Sequence, residues 1–276
     1  MLSKREEAPS RAFLMIKGLT KVFGGLKALE GVELSIEAGK VASLIGPNGA
    51  GKTTFFNCVT GITPPTAGTV LFKEEKITRL PSHEISRRGI ARTFQNIRLF
   101  SEMTVLENVI VGRYIRSALP LTGTFFGALF RQAGFREREE EIRKEALHLL
   151  DFVGLADRWD LLSRHLPYGD QRRLEIVRAL ASEPSLLLLD EPAAGMNPQE
   201  TQKLMALIGQ IRDQGITPFI IEHNMKMVMG ISDHVIVLDH GAKIAEGTAR
   251  EIQENPTVIE AYLGKQGTGA GGQGSV

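Results

Sequence analysis

A single cysteine, Cys58, in 276 residues leaves no partner for a disulfide within the chain. That fits a reducing compartment, and inside a candidate helix Cys58 reads as a buried thiol. Charge of one sign is also scarce: 33 Lys and Arg against 32 Asp and Glu give a net charge of +1. No electrostatic case arises for nucleic acid or an anionic membrane. No stretch approaches the ~20 consecutive apolar residues that span a bilayer. The run Met1-Leu2-Ser3-Lys4-Arg5-Glu6-Glu7 is polar and does not read as a signal peptide. No internal repeat is visible. What remains is a chain with an apolar fraction of 42 %, ample for a core. Its length fits one large domain or a core with a smaller subdomain.

The most informative stretch is Gly46-Pro47-Asn48-Gly49-Ala50-Gly51-Lys52-Thr53, which fits the phosphate-binding loop G-x-x-x-x-G-K-[ST]. The apolar run Val41–Ile45 before it reads as a buried strand, and Thr53–Val59 after it as a helix start. Strand, glycine loop and helix are the context this motif requires. Glycines let backbone N–H groups turn inward, and the helix N-terminus adds partial positive charge. Lys52 can reach β- and γ-phosphates, and the Thr53 hydroxyl, followed by Thr54, can sit on Mg²⁺.

Around the loop, Phe13–Ile16, Val32–Ile36 and Thr69–Phe72 read as strands, the second with period-2 alternation of Val32, Leu34 and Ile36. Gly24-Gly25 and Ala38-Gly39 mark turns, and Thr63–Gly68 breaks the chain. From about Phe100 to Leu166 the character is helical, with opposite charges three to four residues apart over Glu137–Leu147, a solvated helix face. The apolar, Gly- and Pro-broken run Leu119–Phe130 packs internally or presents a partner surface. Strand-like runs return at Leu186–Leu189, Thr217–Ile221 and His234–Leu238, alternating with helices. That order predicts an α/β core with a parallel sheet and a mainly helical insertion. The glycine-rich stretch 264–276 reads as a flexible tail.

The strand Leu186–Leu189 ends in Asp190-Glu191-Pro192, an apolar strand ending in acids. Asp190 is placed to hold Mg²⁺. Glu191 is placed to polarise a water attacking a γ-phosphate.

Taken together, the loop, Arg92-Thr93-Phe94-Gln95, Leu166–Arg173, Leu189–Pro192 and Ile221-Glu222-His223 resemble the ATPase domain of ABC transporters over residues 12–263. The resemblance implies an α/β P-loop NTPase: a parallel-sheet core, an N-terminal antiparallel β subdomain and an α-helical signature subdomain inserted at about 97–180. It implies ATP and Mg²⁺ as cofactors. Phe23 matches the aromatic that stacks on adenine, and Gln95 the glutamine that senses Mg²⁺ and couples to membrane subunits. Tyr168, Gly169, Asp170 and Gln171 match the signature that closes over ATP on the opposite subunit. His223 matches the histidine that positions phosphate and water, and Ala194–Asn197 the loop that crosses the dimer interface. By this resemblance Lys52, Gln95, Glu191 and His223 are catalytic, Thr53, Gln95 and Asp190 are metal ligands, and residues 46–54 hold the phosphates.

Two departures stand out. Pro167 and Tyr168 replace the Ser and first Gly of the usual Leu-Ser-Gly-Gly-Gln, with Asp170 in place of its Gln. Pro is compatible with a first helical turn, and Asp suits a helix N-terminus but not a phosphate. Asn197 stands where many members carry Asp. Within the family the chain resembles the larger ATPase of bacterial branched-chain amino-acid importers, in Arg92–Phe100, Met103–Asn108, Asp190–Pro198, Glu222–Lys226 and Ala261–Gly264. That likeness implies a second ATPase in a head-to-tail dimer, two membrane permease subunits and a periplasmic or extracellular substrate-binding protein. It places the chain peripherally on the cytoplasmic face of the inner membrane. A urea or short-amide importer, a soluble ABC ATPase acting on ribosomes or DNA, and a P-loop kinase stay open. Against the kinase stand the signature stretch and His223; against the soluble class, the lack of a second ATPase domain, a long coiled coil or a zinc module.

Overall fold

The computed structural model describes residues 13–114 and 127–263, with the backbone alone at 127–137 and at 263. The tail 264–276 and residues 119–126 of the apolar run lie outside the described residues. In chain order the elements begin with β1 (Leu14–Phe23), β2 (Leu26–Ile36), β3 (Ala42–Ile45) and α1 (Lys52–Val59). They continue with β4 (Ala67–Phe72), β5 (Glu75–Lys76), α2 (Ser82–Arg87), β6 (Ile90–Arg92), α3 (Val105–Tyr114) and α4 (Gly127–Phe152). Then come α5 (Tyr168–Leu180), β7 (Leu186–Asp190), α6 (Pro198–Asp213), β8 (Thr217–Ile221) and α7 (Met225–Ile231). Last are β9 (His234–Asp239), β10 (Ala242–Gly247), α8 (Ala249–Gln253) and α9 (Pro256–Leu263). The chain divides into two compact units, 1–82 with 211–276, and 83–210.

The first unit holds two kinds of sheet. One is antiparallel, ordered β2-β1-β4-β5, with Leu14 opposite Ile36 on one side and Phe72 on the other. Its alternation follows the sequence: Val32, Leu34 and Ile36 are buried while Glu33 and Ser35 are exposed. In the other sheet β3 runs parallel to both β8 and β9, with Ala42 opposite Phe219 and His234, and β10 closes antiparallel on β9. Strands β3 and β8 are buried at every residue, which is why they read as unbroken apolar runs rather than alternating ones. From α1, Phe55 and Phe56 meet Phe219 of β8 edge-on, with centroids 6.0 and 5.1 Å apart. The phosphate-loop helix is thereby fixed to the strand that precedes His223.

The second unit pairs β6 with β7 in parallel, Ile90 opposite Leu186 and Arg92 opposite Leu188. Helices α3, α4 and α5 bury one face each: Leu106 and Val109, then Ile142, Ala146 and Leu150, then Leu174 and Val177. The spacing of four along α4 is the period of a helix with one wet side, and Arg138–Glu141 on it are exposed. A reciprocal box starts α3. Thr104 N donates to Glu107 Oε2 at 2.8 Å and Glu107 N to Thr104 Oγ1 at 3.2 Å. Among the described residues no helix is long and apolar enough to cross a membrane.

Candidate functional site

Strand β3 delivers the chain into the loop Gly46–Thr53. Gly46 has φ +148°, and a Cβ there would collide with the carbonyl oxygen of Leu238. Gly51 has φ +99°, with space for a Cβ ending 2.5 Å from the Ala28 oxygen. Only glycine fits either position. Gly51 is the N-cap of α1 and has no side chain to cap its first turn. Lys52 folds back over the loop: Nζ donates to the Gly46 oxygen at 2.6 Å and the Pro47 oxygen at 3.0 Å. A glycine loop, a helix N-terminus and a cationic donor folded over them are the parts of an anion cradle. At the end of β1, Phe23 is 47 % exposed and carries the Lys21 ammonium 4.7 Å from its ring centroid.

In the second unit β7 ends in Asp190. Its carboxylate accepts from Arg92 Nη2 at 2.7 Å, across the paired ends of β6 and β7, with side chains only 3 and 5 % exposed. Burial lowers the Arg92 pKa from its ordinary value, and the Asp190 bond opposes that shift. Glu191, one residue on, has φ +46°, a conformation that is uncommon for a residue with a side chain. The twist turns Glu191 out of the strand, where its Oε2 accepts from Gln95 Nε2 at 2.9 Å. The structure therefore brings together Gln95 and Glu191.

The signature stretch forms the start of α5. Pro167 is its N-cap, with φ −55° and ψ 154°, and its carbonyl accepts from Asp170 N and Gln171 N at 3.0 Å each. The Asp170 side chain is buried and its carboxylate is bound by Arg158 and Arg173. Gln171 Nε2 donates to the Leu166 carbonyl at 2.8 Å. Both polar side chains thus engage their own chain and leave the exposed Tyr168 and the backbone at Gly169 as what the helix start presents. A Cβ on Gly195 would lie 3.3 Å from Tyr168 Cε1, so the tyrosine ring rests on the Ala194–Asn197 loop.

His223 follows β8 in the first unit. Glu222, fully buried, accepts from the backbone N–H of His223 at 3.0 Å and of Asn224 at 3.1 Å. Asn224 caps α7 through Met227 N at 3.1 Å. The His223 backbone is held on both sides while its side chain is 58 % exposed. Glu222 and Arg92 were not among the expected site residues. Their sign in the sequence is a charge at the end of an otherwise apolar strand.

Among the described residues no three His, Cys, Asp or Glu gather as a metal site. Magnesium needs no such cage: it is a hard cation held by one or two protein oxygens plus phosphates. The Thr53 hydroxyl, the Gln95 amide oxygen and the Asp190 carboxylate are donors of that type.

The description "ABC transporter" matches residues 29–194, and "Branched-chain amino acid ATP-binding cassette transporter" matches residues 242–268. The chain is 49 % identical to the high-affinity branched-chain amino acid transport ATP-binding protein BraF of Pseudomonas aeruginosa. It is 46 % identical to LivG of Escherichia coli K12, and each match covers 93 % of this chain and 99 % of the relative. Among solved structures it resembles the ADP conformation of MJ1267, an ATP-binding cassette of an ABC transporter (TM-score 0.80, 35 % identity, 92 % of this chain and 99 % of that one). It also resembles a dimeric post-hydrolysis state of the cassette MJ0796 bound to ADP and Pi (TM-score 0.72, 27 % identity, 86 % and 99 %). The α/β fold, the phosphate loop and likeness over nearly the whole length agree: the chain belongs to the ABC transporter ATP-binding family and is an ATPase of that family.

Proposed function

We propose that the chain is the ATP-hydrolysing subunit that powers an importer of branched-chain amino acids. The observation that carries the cargo class is the match of residues 242–268 to the branched-chain cassette description. That segment comprises β10, α8 and α9, outside the phosphate loop and the acids that ABC ATPases share. Identity to BraF and LivG over 93 % of the chain supports it.

In this reading Phe23 stacks on adenine, and residues 46–54 cradle the phosphates. Thr53, Gln95 and Asp190 hold Mg²⁺, which when bound neutralises charge on the β- and γ-phosphate oxygens. Glu191 takes a proton from water as the water oxygen attacks the γ-phosphorus and the bridging oxygen leaves with ADP. The Gln95 amide orients that carboxylate. His223, with a fixed backbone and an exposed ring, donates to the γ-phosphate. Tyr168 and Gly169, in a turn held by Asp170 and Gln171, face the nucleotide on a second ATPase subunit in a head-to-tail dimer. Two permease subunits and, through them, a substrate-binding protein complete the transporter, with this chain on the cytoplasmic face of the membrane. ATP closes the dimer and hydrolysis reopens it, by differential binding of ATP and ADP.

Uptake of labelled leucine by the source cells tests this, comparing the native chain with Lys52→Ala at equal protein levels. Loss of a cationic donor to the phosphates is expected to lower uptake by about 10²-fold or more. Unchanged uptake, in cells lacking any other leucine system, would refute the cargo class and move it to urea or an amide.

A further inference from the structure

Two charged residues one turn apart on α5, Arg172 and Glu175, are 0 and 1 % exposed, and no role assigned above uses them. Arg172 Nη1 donates to Glu175 Oε2 at 2.8 Å. Among the described residues, the hydrogen bonds of the two side chains to backbone go to one short loop. Arg172 Nη1 donates to the Phe94 carbonyl at 2.6 Å and Nη2 to the Gln95 carbonyl at 2.7 Å. Glu175 Oε1 accepts from Arg98 N at 3.2 Å and, more weakly, Phe94 N at 3.5 Å. Burial raises the Glu175 pKa, opposed by Arg172 and then by the amides of Arg98 and Phe94.

Packing does not explain such a pair, because apolar residues of similar volume commonly serve as well or better in a buried site. The pair instead provides direction: a planar guanidinium fork and a carboxylate, back to back, grip donors and acceptors over residues 94–98. The Phe94 ring is held as well, with Arg98 4.0 Å and Arg92 5.0 Å from its centroid. Beyond the grip, the Gln95 side chain reaches Glu191 at 2.9 Å. At the other end, Arg172 Nη2 lies 3.5 Å from the hydroxyl of Tyr168, the first residue of α5. A continuous set of polar contacts thus runs from the start of α5 to the Glu191 carboxylate.

We propose that Arg172 and Glu175 form a positioning clamp that fixes the Gln95 backbone to α5, so that the register of α5 sets where Gln95 holds Glu191. The clamp rests on the reading of Glu191 as the base and touches neither nucleotide nor water. A shift of the α5 start, when nucleotide is engaged there, moves the Gln95 amide with it.

The test is steady-state ATP hydrolysis by the full chain with the subunits that copurify with it. Arg172→Met with Glu175→Leu replaces the clamp by an apolar pair that keeps the site filled. Expected are an unchanged melting temperature, a KM for ATP within about twofold, and a kcat reduced about 10²-fold, as a misplacement of about 1 Å costs. Should that pair fail to fold, Arg172→Lys keeps the charge but not the fork, and a tenfold lower kcat at unchanged KM is expected. Because the clamp acts through Gln95, neither change is expected to lower kcat further in a Gln95→Ala background. Multiplying effects there, or a native kcat in the Met/Leu pair beside an inactive Glu191→Gln, would overturn the clamp alone. Native activity in Glu191→Gln would overturn the base assignment and the clamp with it.

Discussion

Arg92 and Asp190 show what a single residue pair does at the end of two short parallel strands. Asp190 brings a carboxylate to a place almost closed to water, and an uncompensated buried charge is costly. Arg92 compensates it at 2.7 Å, with both side chains at most 5 % exposed. Removing one partner leaves the other charge buried, so Arg92→Met is expected to lower stability by about 3–5 kcal/mol. The double variant Arg92→Met, Asp190→Asn is expected to recover much of that loss. Urea midpoints of the four chains form the cycle that reads the coupling, and additive losses would show that the pair is not what stabilises the strand ends. This pairing is not legible in the sequence, because residues 92 and 190 become neighbours only when β6 and β7 pair. Glu191 is legible by its place after an apolar strand, but its positive φ and its contact with Gln95 are not. The same holds for Glu222, visible as an acid beside His223 yet read as a support only once its oxygen is seen on two backbone amides.

Among the elements, the strands with a buried apolar run were the most legible. Leu186–Leu189, Thr217–Ile221 and His234–Leu238 read as apolar runs and lie within β7, β8 and β9. Strand β10 did not announce itself, since Ala242–Gly247 is half-buried except at the exposed Glu246 and shows no clean alternation. Strand β1 runs on to Phe23, well past Ile16, because register shifts between Ile16 and Val22 break the period that would have marked it. The Asn197 departure finds its account at this scale as well. Its Oδ1 accepts from Gln199 N at 2.9 Å and Glu200 N at 3.0 Å, and Glu200 Oε2 accepts from Asn197 N at 2.9 Å. Followed by Pro198, Asn197 is the N-cap of α6, and Asn and Asp cap about equally well. Asn197→Asp is therefore expected to leave thermal stability within about 1 °C. Asn197→Ala is expected to cost about 1 kcal/mol, a fall in Tm of roughly 2–4 °C for a chain of this size. Differential scanning calorimetry of the two variants decides, and an equal fall in both would mean that the amide, not the cap, is required.

For the molecule as a whole, the sequence showed the order of the parts but not the return of the chain. The stretch from β8 to α9 joins β1–β5 in one compact unit because β3 pairs on both sides with strands nearly two hundred residues downstream. Nothing local to either stretch encodes that, whereas the phosphate loop is a local motif and legible in the sequence. At this scale the proposed function is association, and the neighbouring cassette MJ0796 is itself dimeric in its post-hydrolysis structure. Glu191→Gln tests association and chemistry together. The glutamine keeps an oxygen that can accept from the Gln95 amide, so the local arrangement survives, but it cannot take a proton from water. ATP then stays intact, and the ATP-bound dimer is expected to accumulate. Light scattering is expected to show a mass near twice 30.3 kDa in ATP and near 30.3 kDa in ADP. A monomer in ATP that pairs only when the smaller ATPase is added would make the active pair heteromeric. A monomer in both cases, with ATP still consumed, would remove Glu191 as the base, and the proton would then have to leave the attacking water by another route, with His223 the next group to vary.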